Sequence, residues 1–583
     1  MEDEDWTIKE INDWVARGML TRAHVLSRVD HGIRNSYASH PEEEPVIEAT
    51  FSSASISTSS GEDQVLTEPA FISLLQAKAS LPQGPEGVEA GRIIYESVVY
   101  LSSLPYPPSH PQPSFQTVAL SLAQLSRALV WALPNRAKYI IEESDLSRMR
   151  TRWDRLRLLF QSLATGSVPL TAQDRVRAHA RLLTARHSFD VSWDGWLDSC
   201  AVNHDDDGDE IYHDLLDVLY STQEERPRWS ALVPRDAFRN IAKQIKADEK
   251  LPELCTLAIP LQRFKDLVKV LLVLQIDLKN LGIDKNADLS QYDDAVNAIC
   301  TAFAQDRDTE TSDLITWPSF AHAIGTIAPH IVEPLYRLLT LTFMNKESLI
   351  QPPDPPRILP NDAILTLPRT SQLISFLAGS MDAGFLRRTN RFVSPNFPAP
   401  AAVVQAMISV PEEAIVLFSG RVIASTDVTA EQGGPCVFGL FSPIPRNDGS
   451  QIRAASEVSP DNPGQRQCEL FQLAPVQDVF CGVVGESGWG VVVDAEEGEN
   501  LVFGDVGVVD GVDGRKGSVT LVLRDGLRRG KIQQWGGNVD GKPDRDEDGE
   551  EKEGVVYEAN PNRGDWEVEF IVEEIEVWSE DPA

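Results

Sequence analysis

The sequence predicts an α+β multidomain chain: an N-terminal all-helical region followed by a C-terminal antiparallel β-sandwich with a few helices. Three observations predict this. Apolar residues recur at helical spacing as far as about residue 346, then gather into short clusters punctuated by glycine. Between the two regimes stands QPPDPPRILP (351–360), with five prolines in ten residues, which neither a helix nor a central strand accommodates. The last apolar run, EVEFIVEEIEVW, alternates with the period of two that marks a half-buried strand.

In chain order, residues 1–85 read as an N-terminal segment, partly disordered. It opens with a possible helix, Trp6 to Val29, and continues into the polar stretch FSSASISTSSGEDQ. Residues 86–350 read as a helical domain. In FQTVALSLAQLSRALVWALP, Val118, Leu122, Leu125 and Leu129 form one stripe, with Ser114 as N-cap and Pro134 as the stop. In LQRFKDLVKVLLVLQIDLKNLG, Phe264, Leu267, Leu271, Leu274, Leu278 and Leu281 recur at three and four, ending at Gly282. The piece 316–343 starts at a capping Thr316, with Pro318 in the first turn. Residues 351–360 are the interdomain linker, and 360–583 hold eight strand-like runs.

The final run is out of phase with itself. Val568, Phe570 and Val572 lie on one face, but the apolar set resumes at Ile575 and Val577, after Glu573 and Glu574. One extra residue exchanges the faces of a strand, so the pattern predicts a β-bulge near these two glutamates. The acidic insertion 540–554 separates this strand from the one before it.

The 583 residues carry a formal net charge of −35, with 42% hydrophobic and 24% charged residues. That balance argues for a globular chain and against a nucleic-acid or anionic-membrane surface. The basic run 524–531 reads as a strand end and turn. Six scattered cysteines without a C-x-x-C pair suggest reduced thiols and a cytoplasmic placement. The start MEDEDWTIKE lacks a hydrophobic signal core, and Glu2 stands where myristoylation needs glycine. The apolar run 267–274 is too short to cross a bilayer.

Few motifs carry chemistry. In NHDDDGDEIYHD (203–214), setting Gly208 at the sixth position of a calcium loop puts Asn203, Asp205 and Asp207 at positions 1, 3 and 5. Position 12 then falls on Asp214 in place of the bidentate glutamate, so the alternative is a hydrophilic loop between helices. His204 and His213 beside these acids do not fix a zinc geometry. GESGWG (485–490) has Trp489 where a nucleophile elbow needs glycine. No histidine follows His330, which removes imidazole-based catalysis and metal binding from the C-terminal half. Cys436, Cys468 and Cys481 lie in strand-like apolar runs, where cysteine packs as a small hydrophobe, with a redox role as the alternative.

Taken together, the C-terminal runs resemble the TLDc domain. CVFGLFSP (436–443) resembles its glycine-aromatic strand, CELFQLAPVQDVFCG (468–482) its Leu-Ser-Pro strand and the segment after it, and SVTLVLRDGLRRG (518–530) a later strand and turn. IEVWS (575–579) matches its near-terminal "LEVW" signature. The stretch IVLFSGRVIASTDV and the acidic insertion depart from the pattern. A helical half before a terminal TLDc domain is similar to the fungal restriction of telomere capping protein 5 family. The resemblance implies a TLDc-like sandwich over 360–583 and a cytosolic adaptor or regulator instead of an enzyme, with no catalytic, cofactor or metal residues. It also implies an association with oxidation resistance and telomere capping. The implied partner is the vacuolar proton-pumping ATPase, whose assembly it would modulate, with peripheral contact to the vacuolar membrane through that partner. The alternatives are an oxidative-stress protein using a thiol or carboxylate, and a calcium-responsive adaptor. Phe441, Phe471 and Trp578 are expected in the core.

Overall fold

The computed structural model describes residues 2–580 except 39, 58–63, 109–117, 142–151, most of 170–209, 224–231, 277–288, 306–312, 345–358, 379–380, 382, 411–412, 428, 443–467, 483–490, 494–499, 505–517, 536–556 and 561. The linker, apart from 359–360, and the acidic insertion therefore lie outside the described residues.

Helices dominate up to Met344, and their apolar stripes meet in one core. Among the described residues of the first 85, Trp14, Val25, Val29, Phe51 and Phe71 pack in that core. Trp14 stacks on Phe238 with ring centroids 5.7 Å apart, and Phe71 stacks on Phe343 at the same distance. The single helix expected over Trp6–Val29 is two, Glu2–Ala16 and Arg22–Tyr37. Gly18 breaks it at φ +73°, a left-handed conformation that glycine adopts without strain. Part of the Ser-rich stretch, 58–63, lies outside the described residues.

The helix expected from Ser114 runs Leu122–Ala132. Its N-cap is Ser121, whose Oγ accepts from Gln124 N (3.3 Å) while Gln124 Oε1 accepts from Ser121 N (2.8 Å). Such a reciprocal pair satisfies two otherwise orphaned donors, which fixes the start here. Leu125 and Leu129 are buried, and Val118 is exposed ahead of the helix. Helix Leu261–Leu274 buries Phe264, Leu267, Leu271 and Leu274, while Leu278, Leu281 and Gly282 lie outside the described residues. The piece 316–343 divides. Thr316 is the N-cap of Trp317–His322, which runs into a π-helical turn, Ala323–Ile327. After Pro329 the chain resumes as Glu333–Met344.

Among the described residues the C-terminal half forms an antiparallel sheet of ten strands: β1 (Leu386–Val393), β2 (Ala414–Ser425), β3 (Pro435–Ser442), β4 (Glu469–Ala474), β5 (Asp478–Cys481), β6 (Val491–Val493), β7 (Leu501–Phe503), β8 (Ser518–Arg524), β9 (Arg529–Trp535) and β10 (Trp566–Glu580). Nine follow one path, β5-β4-β3-β2-β10-β9-β8-β7-β6, and β1 pairs with β10 off that path. Each of the eight expected runs contains a strand among its described residues. β1 and β9 were not expected, because polar residues interrupt LRRTNRFV and RGKIQQW. The basic run 524–531 is the end of β8, a turn and the start of β9.

The path is continuous, yet it folds over on itself. Phe418 on β2 and Phe503 on β7 have ring centroids 5.5 Å apart, with β10, β9 and β8 between them in the order. Phe480 on β5 and Trp566 on β10 are 6.2 Å apart across β4, β3 and β2. One core therefore fills the space between the folded-over faces. A second core covers the outer face of β2–β5 with helix Leu367–Leu377, where Phe376 meets Phe471 at 5.3 Å. Phe441, Phe471 and Trp578 are all buried in this second core.

β10 runs through the middle of the sheet. One edge pairs with β2 along almost its whole length; the other pairs first with β9, to Ile571, and then with β1, from Glu574. Its register against β2 slips between Val572 and Glu574, so the bulge falls at Glu573, where the phase change predicted it. A second slip lies between Glu569 and Phe570. Before the main bulge, Val568, Phe570 and Val572 point into the inner core. After it, Ile575 and Val577 do, and Glu576 and Trp578 are buried on the outer face.

Candidate functional site

The turn between β4 and β5 enters the helical half. Val476 packs in the helical core. Gln477 N donates to Ala298 O (3.0 Å), and its Nε2 donates to Ile327 O (3.2 Å) and Ser375 Oγ (3.0 Å). Gln372 Nε2 donates in turn to Gln477 Oε1 (3.2 Å). Ile327 closes the π-helical turn, so the widened turn directs its carbonyl at the inserted side chain.

Behind this turn lies a buried polar cluster. The Asp478 oxygens accept from Asn560 Nδ2 (3.0 and 3.2 Å), Arg563 Nη1 (2.9 Å) and the Val479 N–H (3.0 Å). Arg563 also pairs with Asp427, donates to Gln472 Oε1 (2.9 Å) and lies over the Trp566 ring at 4.0 Å. His322 Nε2 is 3.0 Å from Asn560 Oδ1, which ties the helical half to the cluster. Burial pushes the Asp478 carboxyl above its ordinary range, against the pull of Arg563 and Asn560. One guanidinium between two carboxylates, roofed by an indole, braces four chain segments.

Glu576 acts similarly at the near-terminal strand. It is fully buried and accepts from Arg388 Nη1 (2.7 Å), Trp578 Nε1 (2.9 Å) and the Ile364 N–H (3.0 Å). The Glu-Val-Trp of β10 thereby secures both its own indole and the segment leading into helix Leu367–Leu377.

The thiols sit in apolar surroundings. Burial pushes those of Cys436, Cys468 and Cys481 up to about 12, so each is protonated at neutral pH, whereas nucleophilic thiols need the thiolate. Cys468 Sγ lies 3.2 Å from Tyr557 Oη on the inner face. Cys481 stands opposite Glu469 in register. Glu469 is the unusual carboxyl of this half. Its Oε2 is buried without a hydrogen-bond partner, and burial raises its pKa to about 8.

Of the calcium-loop residues, Asn203, Asp205 and Asp207 lie outside the described residues. Asp214 is in helix Glu210–Ser221, buried and gripped at both oxygens by Arg157 (2.7 and 2.9 Å). A guanidinium thus occupies the carboxylate that position 12 would offer an ion. Among the described residues, His40, Glu42 and Glu43 bring metal-type ligand atoms within 4.8 Å of one another. Glu43 is already bidentate to Arg136, whose charge opposes a cation there, and His40 stacks on Tyr139 at 5.6 Å.

Sequence reading missed Arg563, Asp478, Gln477 and Glu576. The signal available was polar residues inside apolar strand runs, Gln477-Asp478 between CELFQLAP and VFC and Glu576 within IEVW. Comparison with known proteins adds no assignment: no protein-family model matches the chain, and no curated protein matches it in sequence. Among the described residues no helix is long and apolar enough to cross a membrane.

Proposed function

We propose that the chain is a cytosolic adaptor or regulator of TLDc type, similar to the restriction of telomere capping protein 5 family. It acts by docking on the vacuolar proton-pumping ATPase and modulating its assembly, and not by catalysis. The observation that carries this reading is the common destination of the four resembling segments. CVFGLFSP, CELFQLAPVQDVFCG, SVTLVLRDGLRRG and IEVWS supply β3, β4–β5, β8 with the start of β9, and the end of β10 of one folded-over sheet. Their aromatic residues Phe438, Phe441, Phe471, Phe480 and Trp578 are core. The chemical groups support the same reading: the thiols are held protonated, and Asp478 and Arg563 are spent on each other and on neighbours. The calcium-responsive alternative loses Asp214 to Arg157.

The test is a titration of the purified full-length protein against purified vacuolar ATPase, following bound stoichiometry, ATP hydrolysis and release of the soluble sector together. Saturable binding with a change in sector release is expected. No binding at micromolar concentrations overturns the ATPase reading.

A further inference from the structure

We propose that the outer face of the sheet beside the β10 bulge is a docking surface for an acidic, amphipathic segment of a protein partner. Among the described residues of the C-terminal half, two large apolar side chains are strongly exposed, Val393 (41%) and Ile571 (50%). They flank the same bulge, Ile571 two residues before Glu573 and Val393 paired to Glu574 just after it. Both stand on the outer face, because Val568, Phe570 and Val572 take the inner one before the bulge and Ile575 and Val577 after it.

The cations beside Ile571 complete the pattern. Arg421 on β2 and Arg529 on β9 are its two cross-strand partners, so three adjacent strands present an Arg–Ile–Arg row. Both guanidiniums are exposed. Arg421 meets Glu573 at 2.9 Å and Arg529 meets Asp525 at 3.8 Å, with side chains half or more exposed in both pairs. Such solvent-screened pairs contribute little and exchange readily for an incoming carboxylate. A row of cation, apolar side chain and cation is complemented by acid, apolar residue and acid. On a chain of net charge −35 this local arrangement selects a short acidic segment over an extended polyanion, which the rest of the surface repels. Bulges recur where a strand presents side chains for function. Here Glu573 is that extra residue, and the fork it opens between β9 and β1 sets the two apolar side chains on one surface.

The surface gives the adaptor reading a place to act. Its test uses a synthetic segment, so failure here leaves the ATPase reading standing. A fluorescein-labelled peptide of alternating glutamate and leucine is titrated into the full-length protein by anisotropy, at low and at physiological salt. Saturable, salt-sensitive binding is expected, weakened about tenfold or more by the double variant Arg421→Glu/Arg529→Glu and by Ile571→Asp. All three side chains are exposed, so melting temperatures should not change; the milder pair Arg421→Gln and Ile571→Ser serves if they do. Equal binding of an all-glutamate peptide overturns the proposal in favour of a bare anion site. Binding that the variants leave intact overturns it too, as does binding to phosphatidylserine vesicles without binding to the peptide.

Discussion

Glu469 does not behave as an ordinary glutamate. Its Oε2 is buried without a partner, so the charged form is penalised and the folded carboxyl titrates near 8, against 4.5 for an unperturbed glutamate. Between those two values the unfolded chain has released a proton that the folded chain retains. Stability therefore falls as pH rises from about 4.5 to about 8 and is level above. Glu469→Gln removes this dependence: its melting temperature should exceed the parent's at pH 8 and match it at pH 4.5, and an equal difference at both values defeats the account. Arg563 is the opposite case, a buried cation whose removal strands Asp427 and Asp478. Arg563→Ala should cost about 3–5 kcal/mol in chemical denaturation. Residues of this kind were the least legible in the sequence. Phe441, Phe471 and Trp578 could be assigned to the core because apolar side chains declare their burial, whereas an acid looks the same buried or exposed until its neighbours are known.

The strands were legible wherever packing imposes a period, and β10 shows how far that reaches. Its phase change located the bulge because burial of both cores leaves no other way to seat Val572 and Ile575 on one face. Deleting Glu573 alone keeps every later side chain on its present face, so that variant should fold with a straighter β10. Deleting Glu573 and Glu574 together turns Ile575, Val577 and Trp578 to the wrong faces, and no folded protein should be recovered. Circular dichroism and proteolysis of both variants check this pair of outcomes; two folded products would mean the register is not set by the cores. Gly420 sits opposite Val572, and a Cβ there would lie 2.1 Å from Ile571 O, so the bulge depends on that glycine. Gly439 on β3 is likewise required: a Cβ would come within 2.4 Å of the Phe471 ring. Gly439→Val should cost about 1–3 kcal/mol by overpacking, and Phe471→Leu should restore part of it. β1 and β9 escaped the sequence because their polar residues blur alternation, with three arginines on β1 alone. Ser121 was missed as the cap although Ser121 and Gln124 stand at the spacing of a capping box, which Ser114 and Thr117 do not form.

The change of period marked the two halves of the molecule, but not how they are joined. The proline-rich run reads as a linker between the halves, and the β4–β5 turn adds a contact it does not foretell, with Val476 in the helical core and Gln477 among Ala298, Ile327 and Ser375. No local pattern encodes that insertion, since VQD reads as an ordinary turn between strands. The attachment combines the apolar peg Val476 and the amide and hydroxyl hydrogen bonds around it with His322–Asn560, the His330 N–H bond to Ser375 O (2.8 Å), and Ile276 of the helical half seated in the second core. Each bond contributes only about 1 kcal/mol net, so the apolar contacts, the Val476 peg foremost, decide whether the halves melt together. The parent protein should show a single calorimetric transition. Val476→Asp buries an unpaired carboxyl in the helical core, which favours withdrawal of the turn over unfolding of either core. That variant should give two transitions, each core still cooperative, and faster proteolysis at the seam. Two transitions already present in the parent would mean that the inserted turn does not couple the halves.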